Sequence, residues 1–188
     1  MIASERSQNV IVAVTIIAAL VSSIFLVSNA AYFGGSYALA GRMQVTIVDT
    51  TVSNLDPTNE SIYPRIAFTF NLKTDAGTEG NVRLMFIGAQ VYLNEDLLSY
   101  TVFQYSLPDH LQPLYPYYDR NFTLSTSTDT GEGQTFDKDT VDNAFLSDSW
   151  EWDVTFRYYF ITFDVRETIT WNFLHFNWTG QTNVIPVT

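Results

Sequence analysis

Between Arg6 and Arg42 the chain runs for 35 positions, Ser7 to Gly41, without one charged residue. Most of that stretch, Val10 to Ala31, is Val, Ile, Ala, Leu and Phe, interrupted only by Thr15, Ser22, Ser23, Ser28 and Asn29. As a helix rising ~1.5 Å per residue it reaches about 33 Å, enough to cross a hydrocarbon core of ~30 Å. It is therefore expected to span a membrane and to contact lipid through Val10–Ala31. A cleaved signal peptide is the competing reading, because Ser28-Asn29-Ala30 and Ala38-Leu39-Ala40 both resemble small-x-small cleavage sites.

This segment divides the chain into a short leader (1–9), the spanning helix (10–31), a neck (32–42) and a domain (43–188). The leader carries Arg6 and the α-amino group, whereas beyond Met43 there are 19 acidic and 7 basic residues. Basic residues favour the cytoplasmic side, so the expected location is the cell membrane, single-pass, with the N-terminus inside and the domain outside. The neck, with Gly34-Gly35-Ser36, reads as flexible or interfacial, and Tyr32, Phe33 and Tyr37 suit headgroup depth. Asn59, Asn121 and Asn177 open Asn-x-Ser/Thr triplets and are the glycosylation candidates of an external domain. A formal charge of −11 excludes a nucleic-acid binder that works by displacing counterions. The chain has no cysteine, which rules out disulfides, thiolate metal sites and a cysteine nucleophile; outside the cell it suits a prokaryotic, archaeal source.

After the neck the apolar period changes from helical to two. Val45 and Ile47 alternate with polar neighbours, as do Ile66, Phe68, Phe70 and Leu72. Val82, Leu84 and Phe86, then Ala89, Val91 and Leu93, continue the pattern with a slip at Gly88 that predicts a bulge or bend. Further strands are expected over Ser99–Tyr105, Asn121–Thr128, Trp150–Val165 and Glu167–Trp178. The second half of the Trp150 strand is apolar on both faces, as a central strand would be. About seven strands separated by turn signals predict an all-β fold, an antiparallel immunoglobulin-like β-sandwich behind one transmembrane helix. Trp150, Trp152, Trp171 and Trp178 are assigned to its core.

The order VTIVDTTVSNL, RIAFTFNLKTD, LMFIGAQVYLNEDLLSY and WDVTFRYYFITFDVRETI resembles the type 2 late-embryogenesis-abundant, or WHy, domain. Asn71 would occupy the first position of that family's Asn-Pro-Asn element, although Leu72 and Lys73 replace the Pro-Asn, and Asn94 matches its later turn. The resemblance implies a seven-stranded sandwich, often behind one membrane helix, with a binding or protective role and no catalytic residues.

No catalytic set emerges from the residues either. His110 and His175 are the two histidines and lack ligand spacing; nucleophile-elbow, Walker and dinucleotide-binding elements are absent. Neither an enzyme nor a cofactor is expected. The acidic run Asp129–Asp142 reads as a solvated loop, with Asp137, Asp139 and Asp142 the candidates were calcium to bind. The segment Leu107–Tyr118 holds three prolines among Leu111, Leu114, Tyr115, Tyr117 and Tyr118. Such a stiffened aromatic loop binds at low ordering cost, or else closes one end of the core. The expected function is a non-enzymatic, membrane-anchored surface protein or complex subunit whose sandwich engages a protein partner, a second copy or the envelope. The alternative is a pilin-like or archaellum-accessory subunit assembled through its apolar helix.

Overall fold

The computed structural model describes residues 2–99, 103–106, 112–126, 138–162, 170–180 and 182–187. Helix α1 spans Ile2–Gly41, 40 residues, or ~60 Å at the standard rise. Its large apolar side chains from Val10 to Val27 are exposed on every side, so no soluble face exists. Two of its hydroxyls bond within the helix: Thr15 Oγ1 donates to the Ile11 carbonyl (2.9 Å) and Ser23 Oγ to that of Ala19 (2.8 Å). Such bonds to the preceding turn leave neither of these two hydroxyls unpaired.

Where a flexible neck is expected, the helix continues. Its last turns are held by the 75–81 loop, and the reason is the smallness of Gly35, Ser36 and Gly80. A Cβ on Gly35 would stand 2.1 Å from the Glu79 carbonyl oxygen, and one on Gly80 would stand 2.6 Å from the Ser36 backbone. The buried Ser36 hydroxyl accepts the Asn81 N–H (2.9 Å) and donates to the Tyr32 carbonyl (2.9 Å). Leu39, one turn on, is fully buried in the domain core.

Two sheets follow. The first has the order β6-β2-β1-β9, built from β1 (Met43–Leu55), β2 (Arg65–Thr74), β6 (Asp119–Ser125) and β9 (Asn183–Pro186). The second has the order β4-β3-β7-β8 with β5 also on β3; its strands are β3 (Val82–Leu93), β4 (Asp96–Ser99), β5 (Gln104–Ser106), β7 (Glu151–Thr162) and β8 (Thr170–Thr179). All pairings are antiparallel except β1 with β9. Nine strands among the described residues exceed the seven expected, because the Ser99–Tyr105 region yields two short strands and the chain end adds β9.

The sheets meet through aromatic rings. Phe70 lies 4.3 Å from Phe156 between centroids, and Phe68 sits edge-on to Trp152 at 5.1 Å. Burying each such ring contributes ~1.5–3 kcal/mol, and its pairing a further ~0.5–1.5 kcal/mol. Trp150 and Trp152 are buried and stacked, and Trp178 packs half-buried against the core; the Trp171 side chain lies outside the described set. β7 is central, between β3 and β8, as its apolar second half implies. The slip in β3 falls at Met85 rather than Gly88: Leu84 pairs with Phe160 and Phe86 with Tyr159. Phe86 is thereby turned to the outer face, where it stacks on Tyr159.

A short helix, α2 (Lys138–Ser147), takes in Asp139 and Asp142 at the end of the acidic run expected to be loop, burying Val141 and Ala144; the earlier acidic positions lie outside the described residues. It closes the end far from α1, where Lys138 Nζ donates to the Asp56 carbonyl (3.1 Å).

The clasp on α1 gives an asymmetric expectation for neighbouring glycines. Gly35→Ala should lower the denaturation free energy of the detergent-solubilised chain by ~1–3 kcal/mol through overpacking. Gly34→Ala, whose Cβ meets nothing within 4 Å, should leave it unchanged or raise it by up to ~1 kcal/mol. Equal effects at the two positions would show that the loop does not clasp the helix.

Candidate functional site

The aromatic loop does not form one surface. Its backbone is bound to the sandwich by Leu114 N–H to Val82 O (2.8 Å), Tyr117 N–H to Ala76 O (2.9 Å) and Thr74 N–H to Tyr118 O (2.8 Å). Leu114 is buried and Tyr118 is 1% exposed, so these two close the end of the core near α1, the second of the two expected roles for this loop, and neither stands on a binding face. Tyr118 Oη donates to Gln112 Oε1 (3.1 Å). Burial pushes its phenol up to about 12, with Tyr115 reinforcing and Arg120 opposing. Tyr115 and Tyr117 point outward, 43% and 69% exposed. Tyr117 has a left-handed backbone (φ 57°), which for a bulky residue is held only by its surroundings. Its ring lies where any Cβ on Gly77 would stand, 2.4 Å from Oη. Leu111 lies outside the described residues.

The calcium candidates do not assemble. Asp139 is exposed in the first turn of α2, whereas Asp142 is buried one turn on and paired with Lys138. An ammonium already neutralises that carboxylate, which argues against a cation there. Asp137 lies outside the described residues, among which no three His, Asp or Glu side chains gather. The sequon residues are all exposed but differ in setting. Asn59 caps its own turn in the β1–β2 loop, its Oδ1 accepting from Ser61 N–H (3.0 Å). Asn121, on β6, accepts from Asn71 Nδ2 (2.9 Å), and Asn177 stands on β8. The family-like Asn94 is structural, clamping the β3–β4 turn to β7 by accepting Glu151 N–H and donating to Ser149 O.

What the structure adds is a groove on the open side of the sandwich. β9 covers only Thr51–Leu55 of β1, so among the described residues Met43–Thr50 has no partner on that side. Among the described residues β8 ends the facing sheet. Between the two edges lies a cavity of about 740 Å³, with Ile47, Phe176 and Trp178 as apolar floor and Asp49, His175 and Asn177 around it. Trp178 is held from behind by Phe68, and Phe176 by Phe70, at centroid distances of 6.1 and 6.3 Å. At the rim His175 Nδ1 lies 3.3 Å from Asp153 Oδ1 and 3.5 Å from Thr155 Oγ1. Main-chain groups of two strand edges and an apolar floor can bind an extended segment. No residue pattern marked this groove, because it depends on how little of β1 the short β9 covers.

The two kinds of tyrosine should separate in stability. Tyr118→Ala should cost on the order of 3 kcal/mol and Tyr117→Ala within ~0.5 kcal/mol in chemical denaturation. Because the Tyr118 phenol is raised from 10.0 to about 12, the folded state favours its neutral form. Its contribution is complete below pH 10 and disappears as pH rises towards 12; an alkaline unfolding transition insensitive to Tyr118→Phe would contradict this. For α2, Lys138→Met should cost ~3–5 kcal/mol by stranding Asp142. Lys138→Met with Asp142→Leu should recover most of that loss, and calcium should restore none of it. Rescue of the single variant by calcium would reinstate the carboxylates as a metal site.

No family model and no curated protein matches the chain. Among solved structures, a protein from Archaeoglobus fulgidus is similar over 76% of this chain and 97% of its own, at 7% identity and a TM-score of 0.45. A likeness at that score adds nothing to the reading of fold or function.

Proposed function

We propose that the chain is a single-pass, membrane-anchored binding subunit, N-terminus inside and immunoglobulin-like domain outside, which accepts an extended segment of a partner protein along β8. One observation carries this reading: the uneven protection of the sheet edges. Exposed edges invite pairing, and folds blunt them with charge, proline or shortness. β6 begins with Asp119 and Arg120, β4 and β5 have four and three residues, and β9 is short and ends at Pro186. β8 is ten residues long with no charged residue and no proline, and the groove lies beside it.

Strand addition supplies affinity through main-chain hydrogen bonds and specificity through side-chain pockets. The acidic domain repels a second copy of itself, which favours a partner with basic residues near its inserted segment. The WHy resemblance points the same way, to binding without catalysis. Assembly through the helix, the pilin-like alternative, would use a different surface.

A photoreactive residue at Val48, exposed beside the groove, should crosslink to a second polypeptide in the native membrane. The same residue at Thr123 on β6 should not. Phe173→Lys, a charge on the open edge, should reduce the Val48 adduct about tenfold, corresponding to ~1.4 kcal/mol. Adducts confined to a probe at Leu20 would support helix-mediated assembly instead, and equal yields at Val48 and Thr123 would reject the strand-acceptor reading.

A further inference from the structure

The clasp on α1 has a consequence for where the domain stands. α1 enters β1 almost directly, at Met43, and the 75–81 loop reaches back along the helix until Glu79 lies beside Ser28, Ala31 and Tyr32. The exposed belt of large apolar residues runs from Val10 to Val27, about 26 Å at the helical rise. A carboxylate is costly within hydrocarbon, so the acyl region must end where Glu79 begins, close to Ser28. At ~26 Å the belt is a few ångströms short of an ordinary ~30 Å core, a mismatch that local thinning of the bilayer absorbs.

The loop carrying Glu79 is therefore level with the headgroups, and so is what packs on it. Tyr117 stands directly over Gly77, and Tyr115 is exposed beside it, its ring 5.0 Å from that of Tyr118. Tyr32, Phe33 and Tyr37 expose their rings on the neighbouring turns of α1. Arg42 and Asp75, 3.9 Å apart, mark the watery side of this collar. Tyrosine is the residue type that such an interface favours, with its ring among lipid and its hydroxyl among headgroups.

We propose that the domain sits on the bilayer rather than being tethered above it, with Tyr115 and Tyr117 forming a second, lipid-headgroup contact beside the helix. The occupant of this surface is the membrane that holds α1. The strained backbone of Tyr117 then has a role, holding an exposed aromatic towards lipid at the end of the sandwich that α1 enters.

This inference rests on α1 being the anchor, and the test separates the two. The cysteine-free chain accepts single nitroxide labels at Val21→Cys, Tyr115→Cys, Tyr117→Cys and Glu60→Cys in vesicles of phosphatidylcholine and phosphatidylglycerol. Collision with oxygen, which concentrates in lipid, is compared with collision with a water-soluble nickel chelate. The label at Val21 should be strongly oxygen-favoured, and that at Glu60, in the loop at the far end, should behave as in buffer. At Tyr115 or Tyr117 the oxygen-to-nickel ratio should be several-fold above that at Glu60. Ratios at both tyrosines equal to that at Glu60, with Val21 in lipid, would overturn the seating and leave the anchor intact. Nickel exclusion without oxygen gain would mean burial against protein and would also reject it. A water-accessible Val21 would remove the anchor and the seating together.

Discussion

Everything beyond residue 41 takes its position from one close approach, that of Gly35 and Ser36 to Glu79 and Gly80. Two backbones come near enough that neither glycine has room for a side chain, and one buried hydroxyl bridges them, donating to its own helix and accepting from the loop. A hydroxyl with both roles filled carries no desolvation penalty, so the contact is stable although small. Because it joins the last turns of α1 to the connection between β2 and β3, it ties the helix to both sheets at once. The direction of α1 and the direction of the strands become one rigid relationship.

The sandwich is closed at its two ends by different means. Near α1, Leu114 and Tyr118 fill the opening while backbone hydrogen bonds fix their loop to β2, to β3 and to Ala76 in the connection between them. At the far end α2 does so with Val141 and Ala144, and its charges are arranged to survive burial: Lys138 serves both Asp142 and the Asp56 carbonyl. One oxygen of Asp142 still lacks a hydrogen-bond partner. That end depends on the ammonium, and specificity for one helix position is gained at some cost in stability.

How far the sequence reveals this depends on whether a feature is local. The apolar belt, the alternation of Ile66 to Leu72 and the run from Trp152 to Phe160 announce themselves, because burial on one face imposes its own period. The Gly34-Gly35-Ser36 segment does not. Small residues serve a flexible neck and a tight helix contact equally well, and the difference lies in a loop more than 40 residues away. Tyr115 to Tyr118 share composition but not fate, since a left-handed residue at Tyr117 reverses which side chain faces inward. The acidic run misled for another reason. Its carboxylates suggested a solvated loop, while the spacing of Val141, Ala144 and Phe145, three and four apart, already carried a helical signal. The bulge at Met85 rather than Gly88 shows that a glycine is an available site for irregularity, not a sufficient one.

The open side of the sandwich and the clasp bear on each other. β1 starts two residues after α1, so its uncovered stretch Met43–Thr50 rises from the helix end over about 26 Å at ~3.3 Å per residue. The bulge between Ile47 and Asp49 twists the upper part of that edge and turns Val48 outward, which spoils β1 as a template for continuous pairing. β8, across the groove, keeps a regular register with β7 from Thr170 to Thr179. An added strand would therefore pair with β8 and use β1 as a wall, its side chains reaching the floor of Ile47, Phe176 and Trp178. From Ser28 to Gly41 the helix rises ~20 Å, so on the seated arrangement the groove, which starts beyond Met43, stands clear of the headgroups and opens to a partner from the aqueous side.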